Sequence, residues 1–286
     1  MFLSFKARSL IYIELIRLNK PIGILLLLWP TLWALWAAKR GVPDIKNLVI
    51  FIFGVILMRS AGCAINDYAD RDFDGQVGRT KNRPLATNRI ASYEALLIAC
   101  TLSVVAFFLV LMTNIKTVYL SFFALVLASI YPFMKRVTYF PQVILGAAFA
   151  WAIPMAFMAT NNEVSYSSWI LYGAALVWTV SYDTLYAMVD KEDDIAAGIK
   201  SIALFFGEWD RFMVGLLQLL TLVMLFFFGL SQSYYFMYYG GLLAAFLLFL
   251  FQQKKIYSRK KEAYFSAFID NHWVGLVIFL GFIFGV

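Results

Sequence analysis

Apolar residues in this chain run in blocks and do not alternate with polar ones. Nine such blocks fall at 21–38, 47–66, 95–115, 117–134, 139–160, 164–183, 212–232, 234–251 and 266–286. A bilayer core asks for about 20 mainly apolar residues per helix, so each block predicts one membrane span. The first runs from Pro21 to Ala38 without a charge, and Pro30 inside it predicts a kink. It is too long for a signal peptide, has no small-residue cleavage site, and is followed at once by further spans. The ninth has the shortest clean stretch, His272 to Val286, which leaves its start open. The expected fold is all-α: a polytopic bundle of about nine transmembrane helices.

Composition agrees. Of 286 residues, 62% are hydrophobic, 18% aromatic and 14% charged, with a mean hydropathy of +0.76. A soluble domain carries about 25% charged residues, so lipid must cover much of this chain. With no long polar linker between blocks, residues 1–286 read as a single membrane-embedded domain. Two cysteines, Cys63 and Cys100, and one histidine, His272, sit too far from metal-ligand partners for zinc or an iron–sulfur cluster. Both cysteines are expected to be buried thiols.

Lysine and arginine placement predicts orientation. With a cytoplasmic N-terminus, the inner segments hold nineteen of the 24 basic residues; the outer loops hold Lys39, Arg40, Lys46 and Lys116. Arg59 lies within a span. The net charge of +7 therefore fits anionic lipid headgroups, not nucleic acid. No obligate protein partner is evident.

Nine of the seventeen acids fall in two places: Asn66-Asp67-Tyr68-Ala69-Asp70-Arg71-Asp72-Phe73-Asp74, and Asp183 through Asp194. The first ends the second span and the other ends the sixth. Four spans separate them, an even number, so both emerge on one membrane face. Asn66, Asp70 and Asp74 are spaced i, i+4, i+8, and Asp183, Asp190 and Asp194 i, i+7, i+11, which predicts one stripe on each of two helices continuing out of the membrane. Carboxylates a turn apart repel, and a hard divalent cation with oxygen ligands offsets that. Mg²⁺ takes one or two carboxylates plus substrate phosphates, and Asn66 adds a neutral oxygen. A single acidic cluster reads equally well as a solvated helix end; two in register on one face do not. Cations follow each cluster: Arg79, Lys81 and Arg83 after the first, Lys200 after the second, with Lys135 and Arg136 ending the fourth span. For Lys81, Arg89 and the run Lys254 to Lys261, the positive-inside rule is explanation enough.

At these residues the sequence resembles the UbiA-type intramembrane aromatic prenyltransferases. Asn66-Asp67-x-x-Asp70-x-x-x-Asp74 with Arg79-Thr80-x-x-Arg83-Pro84-Leu85 is similar to the first motif. Tyr182-Asp183-Thr184-x-Tyr186-Ala187-Met188-x-Asp190-x-x-x-Asp194, then Gly198-Ile199-Lys200-Ser201, is similar to the second. Arg17-Leu18-x-Lys20-Pro21-Ile22-Gly23, Trp29-Pro30-Thr31-Leu32-Trp33-Ala34 and Arg59-Ser60-Ala61-Gly62-Cys63 resemble the branch acting on 4-hydroxybenzoate. The resemblance implies a nine-helix bundle around a central cavity, with two motif loops capping its cytoplasmic side in a bacterial inner membrane. It also implies Mg²⁺, a polyprenyl diphosphate donor, 4-hydroxybenzoate as acceptor and a step of ubiquinone synthesis. Asn66, Asp70, Asp74, Asp190 and Asp194 take the metal–diphosphate role in it, and Arg79, Tyr131, Lys135, Arg136 and Lys200 hold the diphosphate. Asp183 is expected to polarise the phenol or accept its proton. Trp29, Trp33, Phe133 and Tyr186 either shield an allylic cation or serve as packing.

Arg59 needs a reason, since a guanidinium inside a span costs about 2.5–3.5 kcal/mol on insertion scales. It lies two turns before Asn66 on nearly the same face, which aims it into the cavity as a planar fork for the acceptor's carboxylate. Pairing with a neighbouring helix, or snorkelling, is the alternative. A sister enzyme with another acceptor and a transporter are the competing functions; the absence of an evident inverted repeat disfavours the second.

Overall fold

A computed structural model of the chain describes residues 5–72, 74–76, 78 and 80–286. Among them there is no strand. The helices are α1 (Phe5–Leu15), α2 (Ile22–Lys39), α3 (Ile45–Asp70), α4 (Ser92–Leu111), α5 (Ile115–Val137), α6 (Pro141–Ala150), α7 (Ala152–Asn161), α8 (Tyr166–Ala197), α9 (Ile202–Phe206), α10 (Asp210–Ser231), α11 (Phe236–Ile256) and α12 (Lys261–Phe284). Each predicted block coincides with one of these helices or with the pair α6–α7.

Eight segments among the described residues are long and apolar enough to cross a membrane, and the chain is an integral membrane protein. The sixth predicted block, in α8, is not among the eight. Its polar and aromatic residues Trp178, Thr179, Ser181, Tyr182 and Thr184 are all buried, because α8 packs against α6, α10 and α12 and shows that face to protein. The outward faces of α4, α5, α10 and α11 are the reverse, with Leu97, Phe108, Phe123, Val126, Phe227 and Phe251 exposed where lipid is their solvent.

With little hydrophobic drive between helices in lipid, close packing and interhelical hydrogen bonds hold the bundle. Trp33 on α2 donates its indole N–H to the Gly275 carbonyl at 3.0 Å. Trp178 donates to Asn271 Oδ1 at 3.0 Å, and Gln218 to Gln252 Oε1 at 2.8 Å, which joins α8 to α12 and α10 to α11. α11 and α12 approach so closely at Gly241 that a Cβ there would sit 2.9 Å from Gly281 Cα.

Three expectations change. The fifth span breaks at Trp151 into α6 and α7, because Pro154 supplies no N–H to Ala150 and its ring crowds that carbonyl. α12 begins at Lys261, ahead of the apolar stretch, since Tyr264, Ala267 and Phe268 bury one face of an otherwise polar first half. Cys63 is buried as expected but Cys100 is exposed.

α3 and α8 both run toward the end of the bundle where α5 finishes in Lys135 and Arg136. A Cβ on Gly78, after α3, would lie 3.9 Å from Asp193 Oδ2 on α8, so the two acidic segments meet. Single cysteines at Gly78 and Ile195, in a background lacking Cys63 and Cys100, will react with a membrane-impermeant reagent from one side, and a cysteine at Asn162 from the other. Labelling of the first two from opposite sides would contradict this arrangement.

Candidate active site

Where α3, α5 and α8 reach this end, a cavity of about 1260 Å³ opens among them. Its polar end is lined by Asn66, Asp67, Asp70, Asp74, Arg83, Tyr131, Lys135, Asp183, Tyr186, Asp190, Asp194 and Lys200. Its apolar end runs between α4 and α5 along Cys100, Val104, Phe107, Phe122 and Leu125. One space thus offers charge at the membrane edge and a greasy groove toward lipid.

The carboxylates are deeply placed. Asp67 is 1% exposed, Asp74 4%, Asp70 5% and Asp190 8%. Buried carboxylates need partners, and this chain supplies them. Lys135 Nζ pairs with Asp70. Arg83 Nη1 reaches both oxygens of Asp74, at 3.0 and 2.8 Å, and stands 3.2 Å from Asp67. Arg17 Nη2 donates to Asp67 Oδ1 at 2.6 Å. Desolvation raises the Asp74 carboxyl above its ordinary value against the pull of Arg83, with Asp70 and Asp67 adding to the rise.

α8 carries Asp183, Asp190 and Asp194 on one continuous helix, as their spacing predicts. α3 does not carry Asp74. The helix ends at Asp70, and Asp74 starts a separate 3₁₀ turn, Asp74–Gln76, held by Arg83 and by Thr80 Oγ1, which donates to the Asp74 carbonyl at 2.9 Å. The expected stripe is broken, yet Asp74 still reaches the cavity. α8 ends at Gly198, whose φ of 67° is the left-handed conformation that glycine adopts freely. Ile199 N–H then returns to the Asp194 carbonyl at 2.9 Å, and Lys200 N–H meets the Lys135 carbonyl at 3.0 Å, folding the second motif's tail back over α5.

The basic candidates divide. Lys135 faces the acids. Lys200 lines the cavity, but its Nζ donates to the Val137 carbonyl at 3.2 Å. Arg136 lies apart from the lining and donates to the Ala69 carbonyl, bracing α5 against α3. Arg79 lies outside the described residues. Of the four aromatics, Tyr186 lines the cavity; Trp29, Trp33 and Phe133 do not, and Trp33 is instead buried against Trp178 and Phe282.

Arg59 does turn into the cavity. Its Nη1 donates to Cys63 Sγ at 3.0 Å, its Cζ lies 5.7 Å from the Phe149 ring centre, and its Nε is buried without a hydrogen-bond partner. No carboxylate pairs with it among the described residues.

Sequence reasoning missed the part played by Asp67 and Arg17. Asp67 follows Asn66 by one residue, about 100° round the helix, and that offset was the available sign that it stands off the stripe of Asn66 and Asp70, toward Arg17. Ser201 was also passed over: its buried hydroxyl has no hydrogen-bond partner and lines the cavity. So was Asp210, which pairs with Lys191 at 2.9 Å and fixes the rotation of α8.

A hard cation fits this donor set. Asn66 Nδ2 donates to Asp70 Oδ2 at 3.1 Å, which leaves Asn66 Oδ1 buried with no partner, a neutral oxygen suited to a metal. Among the described residues no three acidic, cysteine or histidine side chains cluster tightly enough to chelate an ion alone.

A family model for the UbiA prenyltransferase family matches residues 27–274. The chain belongs to that family. It is similar to a 4-hydroxybenzoate octaprenyltransferase of Hahella chejuensis, with 57% identity over 98% of this chain and 93% of that one. A protein of the same name from Chromohalobacter salexigens is 54% identical over 94% of this chain and 91% of its own length. The fold matches an apo UbiA homologue from Aeropyrum pernix K1, with a TM-score of 0.79, 22% identity and coverage of 91% of this chain and 96% of that one. It also matches a UbiA homologue from Archaeoglobus fulgidus bound to DMAPP and Mg²⁺, with a TM-score of 0.69, 20% identity and coverage of 93% and 98%.

Asp67 and Asp70 are neighbours with different expected phenotypes. Asp67→Ala strands Arg17 and takes one of the two partners of Arg83, and costs roughly 3 kcal/mol, the low end for breaking a buried pair, read as a lower unfolding midpoint in detergent. Asp70→Ala strands only Lys135 and removes the larger carboxylate repulsion on Asp74, so the midpoint falls by less. Equal midpoints for the two variants would refute the division.

Proposed function

We infer that this chain transfers a polyprenyl group from its diphosphate to the ring of 4-hydroxybenzoate, at the carbon ortho to the hydroxyl, as a step of ubiquinone biosynthesis. The observation that carries this is near-full-length identity above 50% to proteins named for that reaction, joined to a cavity lined by both acidic motifs.

The residues divide the work along the cavity. Its apolar groove between α4 and α5 takes the prenyl chain, which places the diphosphate at the acidic end. Asn66, Asp70, Asp74, Asp190 and Asp194 would hold Mg²⁺ there. Bound between them, Mg²⁺ supplies the positive charge that a diphosphate leaving group needs as its C–O bond breaks. Lys135, Tyr131, Lys200 and Arg79 contact the diphosphate oxygens, and Arg136 holds the end of α3 against α5. Tyr186 turns its ring toward the allylic centre, where a ring face stabilises positive charge. Arg59 takes the acceptor's carboxylate and so points the phenol end of the ring at the prenyl carbon. Asp183 hydrogen-bonds the phenol hydroxyl and accepts its proton as the new C–C bond forms and the bond to diphosphate breaks. The ring then loses the hydrogen at its newly bonded carbon and the oxygen takes a proton back, which restores the phenol with one proton released overall. The basic residues clustered on this side support a cytoplasmic site and N-terminus, in a bacterial inner membrane.

Asp70→Ala and Asp190→Ala will each abolish transfer of labelled 4-hydroxybenzoate in membranes while the protein stays inserted, and excess chelator will do the same to the parent. Arg59→Met will raise KM for 4-hydroxybenzoate roughly 10- to 100-fold, matching about 1.5–3 kcal/mol for charge-assisted hydrogen bonds, with little change in KM for the prenyl diphosphate. Turnover by either aspartate variant, or unchanged acceptor KM in Arg59→Met, sinks the corresponding assignment.

A further inference from the structure

Gly23 is the second residue of α2 and has an ordinary helical backbone, so no turn or left-handed conformation requires a glycine there. Glycine inside a helix costs roughly 0.5–1 kcal/mol relative to alanine. The reason lies across the cavity. A Cβ built on Gly23 would sit 2.7 Å from Arg59 Nε, 2.7 Å from Nη2 and 3.0 Å from Cζ. That point is nearer both nitrogens than the carbon between them, so it lies off the edge of the guanidinium and not over its face.

The guanidinium is a planar fork that matches a carboxylate, and its Nε–Nη2 edge rests against the Gly23 backbone. A side chain at position 23 would take the space that this edge fills and push the fork aside. The opposite corner is already committed, with Nη1 donating to the buried Cys63 thiol at 3.0 Å. Phe149 lies 5.7 Å from Cζ. Nε is buried and has no hydrogen-bond partner. Gly23, Arg59, Cys63 and Phe149 all line the one cavity.

We propose that Gly23 and Cys63 form a socket that fixes the Arg59 guanidinium, Gly23 by leaving room for its Nε–Nη2 edge and Cys63 by accepting from Nη1, and that the acceptor's carboxylate binds the guanidinium so placed. Gly23 is then a position that determines acceptor specificity. This rests on the reading of Arg59 as the carboxylate's partner and adds what holds that arginine in place. The clash built by a Cβ is with the far end of a flexible side chain, so alanine at 23 displaces the arginine and leaves the fold intact.

The test is a double-mutant cycle of Gly23→Ala and Arg59→Met in membranes, reading KM for 4-hydroxybenzoate, KM for the prenyl diphosphate, and the unfolding midpoint. Gly23→Ala is expected to raise acceptor KM about tenfold or more, as small misplacements of a binding group do, with diphosphate KM and kcat within about twofold. In the Arg59→Met background the same change should have no further effect, because paired residues are not additive. Gly240→Ala, a helix glycine with open space around it, should change nothing. An equal KM increase from Gly23→Ala in both backgrounds, or none in either, overturns the socket while leaving Arg59 in place. An Arg59→Met enzyme with normal acceptor KM instead removes the reading beneath it. Should Gly23→Ala fail to accumulate, recovery in the double variant supports the clash with Arg59, and failure to recover overturns it.

Discussion

Everything at the working end of this bundle depends on pairing carboxylates that are crowded together at the edge of a membrane. Asp67, Asp70 and Asp74 lie within eight residues and are almost fully buried, an arrangement that self-repulsion and lost hydration oppose. Arg17, Lys135 and Arg83 offset it, each from a different element: the segment after α1, the last turn of α5, and the loop after α3. Those ion pairs therefore tie together the parts that frame the cavity. On α8 the same logic acts outward, where Lys191 pairs with Asp210 and sets the rotation that leaves Asp190 and Asp194 on the cavity side.

The division of that cavity follows from the bilayer. Backbone polar groups are satisfied within helices, so side chains alone decide what the cavity binds. Toward lipid they are leucine, valine and phenylalanine; toward water they are acids and cations. A substrate with a long apolar tail and a diphosphate head has one way to lie in such a space. In the function we propose, an aromatic acid enters beside the head, and Arg59, the charged side chain deepest along α3, orients it.

Much of this was legible in the sequence because the bilayer imposes a strong length constraint. Nine apolar blocks map onto the helices, and the even number of spans between the two motifs placed them at one end. α8 shows where composition alone falls short: its middle is too polar for a lipid-facing helix, and its burial against α6, α10 and α12 explains why that is tolerated. Helical periodicity carried Asp183, Asp190 and Asp194 correctly and failed at Asp74, because the chain leaves the helix at Asp70 and Arg83, not the helix repeat, brings Asp74 back. Periodicity also cannot separate acids that bind from acids that brace, as Asp67 shows, nor tell Tyr186 from Trp33, since both are aromatics near a span end. Those distinctions are set by long-range partners. Gly23 is the extreme case, a residue whose meaning lies wholly in a side chain 36 positions away.

The central claim is that two acidic segments, four spans apart in the chain, build one site. Its most direct test is a cross-link between Gly78→Cys and Asp193→Cys, in a background lacking the native cysteines, with a protease site inserted between α4 and α5. A Cβ at 78 lies 3.9 Å from the Asp193 carboxylate, so oxidation in membranes should join the cysteines and hold the two cleaved halves together until a reductant is added. Halves that separate after oxidation, although both cysteines react with a maleimide, would contradict the shared site.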